Sequence, residues 1–196
     1  MSTKDRIKRT GFFLFAKNGY AGTSMNDIAR EVGINKASLY SHYASKEDIF
    51  LSIYEDVACD YELLYERIIE ESKDFSIEKK LHYIFFNYIR HFYQNPDLQS
   101  FWNQLNYYTP PEIHEKYYNN IYGRHKKYAD IMIRIFEEAV KLGVLRKGDP
   151  EQMHITYWAM CEGALSVMLA VKVADEQWIN NFWADIWNGL KGGKNK

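Results

Sequence analysis

Polar groups of the kind that meet a nucleic acid are concentrated between Thr23 and Lys46. Thr23 and Ser24 are helix-capping residues, and Met25, Ile28, Ala29 and Val32 follow at the spacing of one apolar helical face. Gly33, four residues after Ala29, supplies the positive φ of a sharp turn. Asn35 caps a second short helix, Lys36 to Tyr43, with Leu39 facing inward. A small residue, a turn glycine and a locking aliphatic in this order are what a helix-turn-helix requires. Packing then leaves Lys36, Ala37, Ser38, Tyr40, Ser41 and His42 outside. Small side chains at the start of the second helix let its backbone approach base edges, and Tyr40, His42 and Lys46 can reach phosphates. The free N–H groups beside Thr23 and Ser24 offer a further anion contact. An ordinary helical hairpin with a solvated outer face would share the spacing.

Glu162 is the second candidate. It stands between the apolar runs 155–160 and 163–171, where a carboxylate must be paired, protonated or turned towards a polar cavity. Trp158 lies one helical turn earlier. An acid beside an indole suits a cationic or amine-bearing ligand; a structural pair with an arginine or tyrosine would satisfy it equally. Aromatics make up 16% of the chain. They cluster as Tyr83 with Phe86, Phe101-Trp102, Tyr107-Tyr108, Tyr117-Tyr118 and Tyr157-Trp158, more than one core stripe needs. Phe86, Trp102, Tyr107, Trp158 and Glu162 are therefore the candidate lining of a small-molecule pocket.

Other chemistry finds little support. No two of the six histidines fall at i, i+4, and Glu151 with His154 is a lone i, i+3 pair, so no metal site is expected. Two cysteines, Cys59 and Cys161, cannot make a zinc cluster or a stapled secreted domain. Neither a Gly-rich phosphate loop nor a Gly-x-Ser-x-Gly elbow occurs. No catalytic residue and no cofactor is expected, and the chain is read as not an enzyme.

The elements that must position these residues are helical throughout. Nine helices are expected, the first over about residues 3–18 and the ninth over 176–190. Ser45 with Asp48 starts a long fourth helix, Asn95-Pro96 ends the fifth, Pro110-Pro111 closes the sixth, and Asp149-Pro150 opens the eighth. A chain of 196 residues, 46% of them hydrophobic and 26% charged, has enough apolar surface for a core without staples. Net charge is −1, but residues 1–50 hold eight Lys/Arg against five Asp/Glu. A basic head on an acidic body suggests a phosphate-facing end. The apolar stretch 155–171 is interrupted by Glu162, so no membrane span is expected, and a cytoplasmic location follows.

The run from Gly19 to Phe50, GYAGTSMNDIAREVGINKASLYSHYASKEDIF, resembles the DNA-binding signature of the TetR family of bacterial transcriptional regulators. The likeness lies in Gly-aromatic, Thr-Ser, Ile-Ala, Gly-hydrophobic, Leu-Tyr, His-aromatic and Lys-Glu, in order and spacing. Gly11, Ala37 and Ser41 depart from that pattern; a glycine at 11 costs a helix up to ~1 kcal/mol relative to alanine. The resemblance implies a helix-turn-helix DNA-binding domain (residues 1–46) joined by a long helix to a ligand-binding and dimerisation domain (47–196). It implies a homodimer through the last two helices, double-stranded near-palindromic operator DNA and a small-molecule effector as partners, and most often repression. A body that answers to a protein partner, or to no ligand, is the alternative. Small residues on the eighth helix (Gly163, Ala164, Ser166, Ala170) and a wide apolar face on the ninth agree with a dimer.

Overall fold

The computed structural model describes residues 1–108, 110–172 and 175–191, without the side chains of residue 112 and residues 114–125. Among the described residues every regular element is a helix: α1 Thr3–Asn18, α2 Met25–Val32, α3 Lys36–His42, α4 Lys46–Glu71, α5 Ile77–Gln94, α6 Pro96–Tyr107, α7 Pro111–Lys141, α8 Pro150–Val171 and α9 Glu176–Lys191. The fold is all-α, and the capping residues set its breaks. Ser2 and Ser24 each form a capping box, with Asp5 and Asp27, and Asn35 and Asp149 cap α3 and α8. The Tyr117-Tyr118 cluster lies outside the described side chains.

Contacts divide the chain into two units, Met1–Leu64 with Asn95–Ile121 and Tyr65–Gln94 with Tyr122–Lys196. The division expected between residues 46 and 47 does not coincide with it, because α6 belongs with the N-terminal helices. Phe101 of α6 lies 5.3 Å from the Phe12 ring and 5.4 Å from that of Phe50. Those rings, with Phe15 and Tyr20, make an aromatic core that α1–α3 alone are too small to supply. Gly11 is buried where α1 meets α4; a methyl group there would lie 3.1 Å from both Ile49 Cγ2 and Ile53 Cδ1. The glycine thus permits a close helix crossing.

In the second unit, α5 packs on α8 and α9. Leu81, Ile84, Phe85, Tyr88, Ile89 and Phe92 are buried on α5. Ile179, Trp183, Ile186, Trp187 and Leu190 of α9 are buried within the chain, Trp183 lying 5.6 Å from Phe85 and 6.4 Å from Tyr157 between ring centroids. The wide apolar face of α9, expected at a subunit contact, therefore fills its own core. On α8, Ala164 is also interior, whereas Gly163, Ser166 and Ala170 are exposed beside Ile155, Trp158, Val167 and Val171.

Candidate DNA interface and candidate effector site

The helix-turn-helix is assembled from short-range rules. Gly33, at φ 76°, ends α2 in the left-handed conformation. Its N–H reaches the carbonyls of Ala29 and Arg30, and the Ile34 N–H reaches Ala29 O at 3.0 Å. A methyl at Gly33 would meet nothing within 4 Å, so the backbone angle and not crowding demands glycine here. Ile28, Ala29, Val32 and Leu39 are buried between the two helices.

The outer face of α3 is open. Lys36, Ala37, Tyr40, Ser41 and His42 are exposed and Ser38 is half-buried. Asn35 Oδ1 accepts the Ser38 N–H at 2.8 Å, and the Ser41 hydroxyl donates to Ser38 O at 2.7 Å. The Lys36 ammonium lies 5.7 Å from the centroid of the Tyr40 ring, which is 45% exposed. A cation, an aromatic and two hydroxyl-bearing residues thus share one uncovered helix surface. Ser24 is exposed at the start of α2, its hydroxyl accepting the Asp27 N–H at 3.1 Å.

Thr23 and Lys46, expected to meet phosphate, are turned inward. The Thr23 side chain is buried, its hydroxyl facing the carbonyls of Gly19 at 2.9 Å and Leu14 at 3.2 Å. The Lys46 ammonium donates to Tyr20 O at 2.7 Å and Thr23 O at 2.8 Å, and lies 4.1 Å from the centroid of the Tyr20 ring. The α1–α2 turn leaves these carbonyls without helical partners, and a long cationic stem at the first residue of α4 reaches them. Other cations of the basic head are also engaged within it. Arg6 donates to Val32 O, Lys8 pairs with Asp56, and Arg30 pairs with Asp27 at 2.7 Å.

The candidate effector residues do not form one lining. In the first unit, Trp102 is buried with its ring 5.5 Å from Tyr61, and Tyr107 is exposed beside Tyr108. In the second unit, Phe86 is half-buried near the His82 ring, and Trp158 is 47% exposed on the outer face of α8. Glu162 alone reaches a polar interior. Its Oε1 accepts the phenol O–H of Tyr88, a residue the apolar spacing of α5 had marked only as core. Burial pushes the Glu162 carboxyl above its usual range, and the Tyr88 hydrogen bond opposes that shift. No lysine, arginine or histidine pairs with Glu162 among the described residues.

Further polar groups are buried in the same unit. Tyr157 donates to Leu81 O at 2.7 Å, and the Tyr65 and Tyr128 rings lie 4.8 Å apart. Cys161 is buried; burial first, and then the Glu162 charge, hold its thiol protonated. Such a thiol is not a nucleophile. Among the described residues no group of three or more His, Cys, Asp or Glu could hold a metal, and no helix is long and apolar enough to cross a membrane.

Residues 9–53, which contain the whole turn-and-cap arrangement, match the family model of the bacterial regulatory proteins of the tetR family. Its N-terminal head thus carries the DNA-binding signature of that family. The uncharacterised HTH-type transcriptional regulator YerO of Bacillus subtilis (strain 168) is 47% identical to this chain over 58 residues, 30% of the chain and 18% of YerO. The biofilm operon icaADBC HTH-type negative transcriptional regulator IcaR of Staphylococcus aureus (strain Newman) is 39% identical over 85 residues, 42% of the chain and 44% of IcaR. The aligned part thus spans less than half the length of either relative. The crystal structure of AibR in complex with isovaleryl coenzyme A and operator DNA has the same fold, with a TM-score of 0.71 at 22% identity over 96% of this chain and 98% of that one. Likeness to TetR-type proteins is therefore one of sequence in the head and of fold throughout.

Proposed function

We propose that this protein is a ligand-responsive, dimeric transcriptional regulator that represses by binding a near-palindromic operator. The observation that carries the proposal is the uncovered face of α3 on a complete helix-turn-helix, with Arg6, Lys8, Arg30 and Lys46 engaged within the head. Ser24, Lys36, Ala37, Ser38, Tyr40, Ser41 and His42 are the DNA-facing residues. Ala37 and Ser38 lie against base edges, and Lys36, Tyr40 and His42 reach the backbone. The relative IcaR is named as a negative regulator, which supports repression over activation.

The second copy is assigned to the exposed face of α8, where Ile155, Trp158, Val167 and Val171 leave an apolar strip in water. Two heads are then carried by one dimer, as a palindrome requires. The effector is assigned to the interior beside Glu162 and Tyr88. A phenol donor satisfies one lone pair of the carboxylate and none of its charge, so a lipophilic amine or quaternary cation complements what remains. AibR, of the same fold, was crystallised with both an acyl-coenzyme A and operator DNA, which supports an effector class of regulator without bearing on this effector's charge. Because α4 runs continuously from Lys46 to Glu71, a ligand that displaces its C-terminal part also displaces its start. DNA and effector then oppose each other with a reciprocal coupling on the order of 1–3 kcal/mol.

The experiment is a fluorescence-anisotropy titration of a labelled duplex from upstream of the gene, with lipophilic cations and matched neutral and anionic compounds added. Cations should release the duplex, and Glu162→Gln should weaken that release by roughly 1–3 kcal/mol, the range for a hydrogen bond to a charged group. Release by neutral or anionic compounds alone would remove the cationic effector and leave the regulator standing.

A further inference from the structure

We propose that Lys46 is the positioning residue of the head: its ammonium braces the α1–α2 turn against the first turn of α4 and so sets where α2, and with it the recognition helix, begins. Two of its three donors are committed to main-chain carbonyls, Tyr20 O at 2.7 Å and Thr23 O at 2.8 Å. The same cation sits 4.1 Å from the Tyr20 ring centroid. That ring is itself held, 5.9 Å from Phe15 and 5.0 Å from Phe50 between centroids. No carboxylate pairs with Lys46 among the described residues, so carbonyl dipoles and an aromatic face balance its charge. Burial accordingly holds its pKa below the usual lysine value.

The brace has a reason in the lengths of the elements. With eight and seven residues, α2 and α3 are too short to hold their place by their own hydrogen bonds. The turn before α2 is instead pinned at both ends of Thr23, whose hydroxyl faces the carbonyls of Leu14 and Gly19 and whose own carbonyl takes Lys46. Lys46 is the first residue of α4, so a rotation of that helix pulls directly on the turn. A phosphate contact would place the ammonium's free donor outside and would not need the other two on Tyr20 and Thr23.

Hydrogen–deuterium exchange on the full-length, DNA-free protein separates the two roles. Lys46→Met keeps the apolar stem and removes the donors. Amides of residues 19–28 should exchange at least ~10-fold faster, while α8 and α9 stay as in the wild type. The second arm rests on the DNA-binding proposal and uses a 30-bp duplex from upstream of the gene at several NaCl concentrations. Lys46→Met should bind at least ~10-fold more weakly at every salt with an unchanged salt slope, whereas loss of a phosphate contact lowers the slope by about one. Should Lys46→Met lose the whole head, Lys46→Gln, which keeps a neutral donor, is read by the same criteria. Unchanged exchange over 19–28 in a folded variant, a slope reduced by one, or collapse of the head in both variants would each overturn the brace. Wild-type protein that binds no duplex would sink the regulator proposal instead, and the exchange arm would still decide the brace.

Discussion

The N-terminal head and the C-terminal body treat charge in opposite ways. In the head, Arg6, Lys8, Arg30 and Lys46 are tied to carbonyls or carboxylates of their own unit, and the exposed cation beside the recognition surface is Lys36. In the body, Glu162 is drawn inward with a phenol and no described cation beside it. A cation bonded to backbone carbonyls is a finished structural joint. On the proposed function, the carboxylate, which no described cation meets, is where the effector binds. On that proposal, the difference separates a part that holds a fixed surface from a part that responds.

The largest effect that would sharpen this contrast comes from the core of the body. Phe85 is fully buried against Trp183 and Phe182, and Phe85→Ala should cost ~3–5 kcal/mol in urea denaturation. Lys36→Ala in the head should leave the same denaturation curve within ~0.5 kcal/mol, because it touches only an exposed side chain. Next come paired substitutions on α8 and α9. Val167→Glu, on the exposed strip, should give a folded monomer by sedimentation. Ile186→Glu, 5% exposed inside the chain, should unfold the protein before it separates subunits. Folded monomers from Ile186→Glu would return α9 to the dimer contact.

Glu162 gives a pH test of intermediate size. Its carboxyl binds a proton more readily folded than unfolded, so its contribution favours the fold at low pH and is lost as pH rises from the ordinary carboxylate range through its raised value. Glu162→Gln should remove that portion of the stability-versus-pH curve, measured by thermal melts between about pH 4 and 8. An unchanged curve would mean that the acid is not desolvated, and the contrast between the two parts would fail. The smallest effect is Asn35→Ala, which removes the cap of α3 and should cost ~1 kcal/mol while weakening DNA binding through the frayed helix start.

What could be read from the sequence follows the same division. The helix limits, the turn at Gly33 and the inward set Ile28, Ala29, Val32 and Leu39 depend on caps and spacings within a few residues, and these were legible. From the sequence Lys46 reads as outward-facing, because its partners, Tyr20 and Thr23, lie 26 and 23 residues away and offer only main-chain carbonyls, which no side-chain pattern marks. Tyr88 is 74 residues from Glu162 and shares its spacing with ordinary core positions of α5. A free-standing acid in an apolar helix could be seen; the phenol that meets it could not. The apolar stripe of α9 likewise declared that something covers it and left open whether that was α5 or a second subunit.

The central claim is that the face of α3 reads DNA, and a footprint tests it most directly. Full-length protein on a duplex from upstream of the gene should protect two symmetric half-sites separated by one or more helical turns. Lys36→Ala combined with Tyr40→Ala should abolish that protection while the circular-dichroism spectrum stays that of the wild type. Protection that persists undiminished in the double variant, or protein that protects no sequence in preference to any other, would contradict the claim.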